Sequence, residues 1–181
     1  DIAYSTMPYM DLPTLCRFKQ TSSTSLRWVE GFLDREFNAS LRPYVRAPIL
    51  FRNTLRMLHG VISGSFALAF VSRNNTPEFE PADLDIYVGR SYAKRLASYL
   101  IQVEGYVPDD NDSHPYISRG YTEVIGMSRG AVRVQVIQSE TSSALYPLAH
   151  FWSSHVMNFL TADGFCVCYP AYTFQGRGLL S

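Results

Sequence analysis

Hydrophobic and polar positions along this chain switch between helical spacing and strand spacing. Apolar residues recur every three or four positions over residues 26–37, which predicts a helix, and a second helix is expected to begin at Pro48. Shorter apolar segments at 61–65 and 83–88 predict strands. Helices before, between and after the strands favour an α+β fold with a mixed sheet flanked by helices.

The N-terminal residues lack this regular spacing. Residues 1–24 contain prolines and a Ser/Thr cluster, which predicts an irregular arm, and a single domain is expected over 25–181. The side chains expected to dock this arm are Tyr4, Tyr9, Leu12 and Phe18.

The second half predicts a further helix and a hairpin. Ser91 is expected to cap a helix whose apolar face extends to Val103. Strands are predicted at 116–127 and 131–137, joined by a three-residue loop that contains Gly130. The remaining expected elements are one or two helices between Ser142 and Leu160 and a short strand at Phe165–Tyr169.

Composition, charge and cysteine count limit the classes of protein to which this chain can belong. The chain has 181 residues, of which 46% are hydrophobic, enough for a full core. Its 16 basic and 16 acidic residues cancel, so any binding to nucleic acid must be local. Three cysteines favour a reducing, intracellular compartment, and no apolar stretch approaches the roughly 20 residues of a membrane span. A chain that begins at Asp1 rather than Met is expected of a trimmed or partial protein.

The motif Asp83-Leu84-Asp85 carries the most chemistry. Side chains alternate along a strand, so Asp83 and Asp85 share one face with Tyr87. Two carboxylates this close repel each other unless a cation lies between them, and a hard divalent ion such as Mg²⁺ or Mn²⁺ suits them. The opposite, core-facing side of the strand is expected to carry Leu84, Ile86 and Val88.

Gly64 and Ser65 come at the end of the earlier strand. If a helix starts there, Gly64 permits close backbone approach, and the free amides with the Ser65 hydroxyl can hold a phosphate. The sequence therefore places a phosphate site and a cation site on neighbouring strands.

This order of parts resembles the nucleotidyltransferase superfamily typified by DNA polymerase beta, over roughly the middle half of the chain. The resemblance implies that Asp83 and Asp85 bind metal, that Gly64 and Ser65 contact a nucleoside triphosphate, and that a nucleotidyl group passes to a hydroxyl of RNA or protein. The full chain, particularly the segment Val156–Phe159, also resembles a group of uncharacterised fungal proteins, which implies no activity.

The family's third carboxylate is replaced here by Gln135, a neutral amide that can coordinate weakly but cannot act as a base. A three-residue hairpin loop would pair Met127 with Ala131 and place Glu123 opposite Gln135. We therefore hypothesise that Glu123 substitutes for the missing acid. Arg133, on the same face, is expected to pair with these acids or with a phosphate.

Other chemistry-bearing residues favour structural roles. His150 and Ser154 are spaced four apart, yet a hydrogen-bonded structural histidine is the preferred interpretation. Cys166 and Cys168 lack the partners of a zinc site. Aromatic residues that could stack on bases but more often belong to a core or its rim are Tyr116, Tyr121, Tyr146 and Phe151.

Three functions stay open at this level. The first is a metal-dependent nucleotidyltransferase, and the second is a degenerate relative that binds nucleotide, nucleic acid or protein without turnover. The third is an interaction module whose Asp-x-Asp strand is an acidic edge for a basic partner.

Overall fold

A seven-stranded mixed sheet organises residues 2–73, 79–109 and 120–180, the part of the chain that the computed structural model describes. The strands are β1 (Val61–Ser63), β2 (Asp83–Val88), β3 (Val107–Pro108), β4 (Tyr121–Arg129), β5 (Val132–Ser139), β6 (Phe159–Leu160) and β7 (Phe165–Cys166).

The longest strands lie at the centre of the sheet. The strand order is β3-β4-β5-β2-β1-β6-β7, and β2 runs parallel to β5 while the other neighbouring pairs are antiparallel. The acidic strand β2 is thus flanked by β1 and β5, which fixes its side chains between two hydrogen-bonded neighbours.

Helices surround this sheet, and the predicted α+β class is confirmed. The α-helices are α1 (Ile2–Thr6), α2 (Leu12–Phe18), α3 (Ser23–Leu41), α4 (Pro48–Met57), α5 (Gly64–Ser72), α6 (Ala93–Tyr99) and α7 (Pro170–Thr173). A π-helical segment, Leu100–Glu104, continues α6, and the 3₁₀ helices are Met7–Tyr9, Pro147–His150 and Ser154–Met157. The prediction that a helix begins at Pro48 is confirmed, because the fixed φ of proline suits the first turn.

The main core lies on one side of β2. Leu84, Ile86 and Val88 are fully buried there, as the alternation predicts, and they pack with α5 and α6 through residues such as Phe66 and Leu96. This packing holds the start of α5 against the central strands.

A smaller core covers part of the other side. Tyr87 joins Val61, Ile137 and Leu148 in a second buried cluster and is only 7% exposed. On the side of β2 that carries the aspartates, Tyr87 is therefore buried in this second core, whereas Asp83 and Asp85, nearer the start of the strand, are partly buried.

The prediction of an irregular arm over 1–24 is wrong. Most of the described part of this segment is helical: Asp11 caps α2 by accepting from the Thr14 amide at 2.8 Å, and the Ser22 hydroxyl accepts from the Ser25 amide. Pro8 and Pro13 occupy first-turn positions, where proline is tolerated. The predicted docking residue Leu12 is buried, whereas Tyr9 is 84% exposed.

The hairpin has a different turn from the one predicted. Arg129 pairs with Val132, so the loop has two residues, and φ is positive at Gly130 but not at Ala131. Glycine at the first central position is typical of a type II′ turn. The predicted pairing of Met127 with Ala131 is therefore wrong; Met127 pairs with Val134. Residues 116–119 of the predicted strand lie outside the described residues.

Two further boundaries differ from the sequence prediction. Ser91 does not cap α6, whose N-cap is Tyr92 and has no side-chain cap. Between Ser142 and Leu160 the chain forms two short 3₁₀ helices and β6 instead of α-helices.

Candidate functional site

Asp83 and Asp85 lie on one face of β2, as the sequence predicts. Asp83 is the first residue of the strand and Asp85 the third, and both are partly buried. The Cα of Asp85 pairs with that of Ser63 at the end of β1, one residue before α5 begins. Backbone pairing therefore brings the acidic pair to the start of a helix.

Gly64 allows the start of α5 to lie very close to Asp85. Its φ is +70°, and a Cβ built on it would overlap Asp85 Oδ2. An L-residue would be strained in this conformation and would also clash with the carboxylate. The carboxylate of Asp85 thus lies directly against the first residue of α5, and Ser65 is the second residue of that helix.

Burial raises the pKa of Asp85 to about 7, and the charge of Asp83 adds to the effect. A carboxylate with this pKa is protonated for part of the time at neutral pH, and a nearby cation would favour its charged form. The pair is therefore electrostatically unfavourable on its own and suited to a positive ligand.

The structure places Gln135 and Arg133 beside the aspartates. In the parallel pairing of β2 and β5, Asp85 pairs with Gln135 and Asp83 pairs with Arg133. Paired residues on adjacent strands project to the same side, so these four side chains form one patch. Arg133 is exposed and already has an interaction with another group.

The hypothesis that Glu123 replaces the third carboxylate is wrong. Glu123 pairs with Gln138, which in turn pairs with Val88 on the core side of the sheet. Glu123 therefore projects to the face opposite Asp83 and Asp85, where it lines a groove with Lys94 and Ser98. The two-residue turn at Gly130 causes this shift in pairing relative to the three-residue loop assumed from the sequence.

The donor set suits one hard cation. Asp83 and Asp85 supply carboxylate oxygens and Gln135 an amide oxygen, and Mg²⁺ is often held by one or two carboxylates together with water and substrate phosphates. Among residues 2–73, 79–109 and 120–180, no group of three or more His, Cys, Asp or Glu side chains could hold a metal ion.

Two residues near the site were not singled out by the sequence. Ser63 is fully buried, and its hydroxyl lies 3.0 Å from the Val156 carbonyl and 2.7 Å from that of Asn158. Asn158 is also fully buried and accepts from the Cys168 amide at 3.2 Å. This network ties Ser154–Met157 to the strand end that precedes Gly64. The only sequence signal for this network was Ser63, a small polar residue in an apolar strand.

The other candidate residues, His150, Ser154 and Cys168, lie in surroundings that favour a structural role. His150 and Ser154 belong to separate 3₁₀ helices, so the single helix expected to carry both is not present. The Cys168 thiol lies 3.2 Å from the Met157 carbonyl, and burial raises its pKa to about 11, followed by the influence of Cys166. A thiol with so high a pKa is a weak nucleophile at neutral pH.

Within the described ranges, no helix is both long and apolar enough to cross a membrane. Comparisons with protein-family models, with curated proteins and with solved structures find no match for this chain.

Proposed function

We propose that this protein binds a divalent cation, Mg²⁺ or Mn²⁺, together with a nucleoside triphosphate at Asp83, Asp85 and the start of α5. The observation that carries the proposal is the position of the Asp85 carboxylate directly against Gly64. A phosphate that approaches the amides at this helix end also approaches two carboxylates, so a cation between them is needed.

Each residue has a part in this proposal. Asp83 and Asp85 hold the cation, the Gly64 and Ser65 amides with the Ser65 hydroxyl contact phosphate, and Gln135 contributes an amide oxygen. Arg133 lies beside Asp83 and would offset charge on the triphosphate. The cation would neutralise charge on the phosphate oxygens and lower the pKa of Asp85.

Nucleotidyl transfer is the reaction that this arrangement would support. An acceptor hydroxyl oxygen, on RNA or protein, would bond to the α-phosphorus while the bond from that phosphorus to the bridging oxygen breaks and pyrophosphate leaves. Because Asp85 is assigned to the cation, which would lower its pKa, the hydroxyl proton would pass to solvent water.

Binding without turnover is the second candidate, and Gln135 favours it. The amide beside Asp85 cannot balance a second divalent charge, and Glu123 lies on the other face of the sheet. A protein with these residues would keep the nucleotide site and lose the reaction.

Binding is tested first by thermal unfolding with Mg²⁺ or Mn²⁺ and each nucleoside triphosphate, with EDTA as the metal-free arm. We expect a rise in melting temperature that needs both metal and nucleotide and is absent in Asp83→Asn and Asp85→Asn. Glu123→Gln is the matched control, because it removes a carboxylate from the opposite face and should keep the shift.

Transfer is tested with α-phosphate-labelled nucleotides and RNA or protein acceptors. Label transfer that is lost in Asp83→Asn supports the enzyme, and nucleotide binding without transfer supports the second candidate. If the wild-type protein shows no metal-dependent shift with any nucleotide, the site assignment is rejected and the acidic patch is left as a surface for a basic partner.

A further inference from the structure

A cavity of about 760 Å³ lies between the helices and the end of the sheet, close to but distinct from the acidic pair. Ala82, which immediately precedes Asp83, and Val132, which immediately precedes Arg133, lie in its wall. The cavity therefore opens at the end of the sheet where β2 and β5 begin. Its volume suits a small organic molecule.

Its walls mix polar and apolar surface and are partly aromatic. Tyr44 packs edge-on against Phe66, and Phe70 lies on the same helix as Phe66. The Tyr44 hydroxyl donates to the Pro81 carbonyl at 2.9 Å, which fixes the ring beside the segment that leads into β2. Aromatic rings held in this way can pack against an apolar body and can also attract a cation.

Among the described residues, the charged side chains of the wall are Glu36, Arg73 and Glu80, which together carry one negative charge. Glu36 lies 3.6 Å from Arg73, so this carboxylate and guanidinium offset each other. Burial lowers the pKa of Arg73 and the charge of Glu36 opposes that change. Glu80 is exposed in the wall, and no ion pair joins it to another residue of the described ranges.

The pKa of Tyr44 responds to the negative charges near the cavity. Its pKa is raised, first by burial and then by the charges of Asp83 and Glu80. Both carboxylates therefore act on the space around the Tyr44 hydroxyl, and each disfavours an additional negative charge there.

We propose that this cavity binds a small organic amine, with its apolar body against Tyr44 and Phe70 and its ammonium group near Glu80. Charge complementarity selects the ligand class, because a carboxylate or phosphate would face the exposed Glu80, while the Arg73 guanidinium is already engaged by Glu36 and the Phe32 ring. Binding of the amine does not depend on nucleotide binding. Its further role as the molecule that presents an acceptor hydroxyl beside Asp83 does rest on the function proposed above.

The test uses three compounds of similar shape that differ in charge: 2-phenylethylammonium, 2-phenylethanol and 3-phenylpropionate. Isothermal titration of the full chain at pH 7 should show the amine binding about tenfold more tightly than the alcohol, and the carboxylate binding most weakly. Glu80→Gln should reduce the preference for the amine over the alcohol to about threefold or less. Glu30→Gln, which removes an exposed carboxylate outside the cavity wall, should leave it unchanged.

Equal binding of the three compounds, tighter binding of the carboxylate, an unchanged preference in Glu80→Gln, or no binding of the amine at millimolar concentration would each overturn the inference. Filling the cavity supplies a second check, since Ala131→Leu at the exposed hairpin tip should weaken the amine without unfolding the protein. Amine binding without any metal-nucleotide shift would reject only the proposed function. A metal-nucleotide shift without amine binding would reject only this site.

Discussion

Gly64 and Asp85 fit together so closely that a methyl group on Gly64 would occupy the space of the Asp85 Oδ2 atom. The relationship joins the first residue of α5 to the third residue of β2 across the antiparallel β1–β2 pair. It determines both how near the helix amides come to the acidic pair and which residue can stand at the helix start.

We predict that Gly64→Ala destabilises the protein through two separable effects. The positive φ costs roughly 1–2 kcal/mol for any L-residue, and the overlap with Asp85 adds a cost of similar size. Urea unfolding at pH 7 measures the sum.

Gly130→Ala separates the two effects, because Gly130 also has a positive φ, +63°, but open space around its Cβ position. It should lose only about 1 kcal/mol. A double variant, Gly64→Ala with Asp85→Gly, should recover the part due to overlap. Equal losses for the two single alanine variants would show that the carboxylate does not lie against Gly64.

The pKa of Asp85 predicts how stability depends on pH. Because the folded-state pKa is about 7 and the ordinary value is 3.8, the folded protein holds this proton more tightly than the unfolded chain does. The stabilisation is complete below about pH 4 and is lost as the pH rises through about 7. Over that window Asp85 should lower the free energy of unfolding by on the order of 2–4 kcal/mol.

Urea unfolding of Asp85→Asn between pH 4 and 8 checks this dependence. The variant should lose this part of the pH dependence and be more stable than the wild type at pH 8. Asp83→Asn should only reduce the dependence, because burial of Asp85 contributes more than the charge of Asp83. Parallel pH curves for wild type and Asp85→Asn would contradict the prediction.

Local patterns predicted the parts of the fold that local physics controls. The two faces of β2 followed from alternation, and the start of α4 followed from Pro48. The same patterns placed Asp83 and Asp85 together, since residues two apart on a strand share a face. The patterns that predict these features involve only a few neighbouring residues.

The features that failed depend on a single turn or on distant contacts. Placing Glu123 required the exact length of the loop at Gly130, and one residue more or less moves every side chain of a strand to the other face. The contact from Ser63 to Asn158 joins residues 95 positions apart, for which the sequence has no spacing signal. The same limit applies to the cavity beside Asp83, whose walls come from five separate parts of the chain.

Replacing Glu104, which lies away from the candidate site, should strongly destabilise the protein. This carboxylate is fully buried and accepts hydrogen bonds from the Arg46 amide at 2.5 Å and the Tyr99 hydroxyl at 2.9 Å, with Arg129 3.7 Å away. Glu104→Ala leaves these donors without a partner and should cost about 3–5 kcal/mol. Tyr99→Phe removes one bond and should cost about 1 kcal/mol, and exposed Glu30→Ala less than about 0.5 kcal/mol. A loss in Glu104→Ala no larger than that in Tyr99→Phe, measured by urea unfolding, would contradict this account.

Restoring a third carboxylate tests the proposed cation site directly. Gln135 pairs with Asp85, so Gln135→Glu would place a carboxylate beside the existing pair. Without metal, the added charge should raise the pKa of Asp85 further and lower stability at pH 8. With Mn²⁺ present, Gln135→Glu should instead be more stable than the wild type. The third oxygen ligand should tighten metal binding by about tenfold, a gain of about 1.4 kcal/mol.

Gln138→Glu is the matched control for that experiment, because Gln138 is a partly buried glutamine of the same strand that pairs with Val88 on the opposite face. It is made in the Glu123→Gln background, so that no second carboxylate pair forms with Glu123, and it should leave Mn²⁺ affinity unchanged. Titration of Mn²⁺ followed by electron paramagnetic resonance measures the free ion for all three proteins. If Gln135→Glu binds Mn²⁺ no better than Gln138→Glu, the oxygens of Asp83 and Asp85 do not converge on a common ion, because a third carboxylate placed beside converging ligands must add to the affinity.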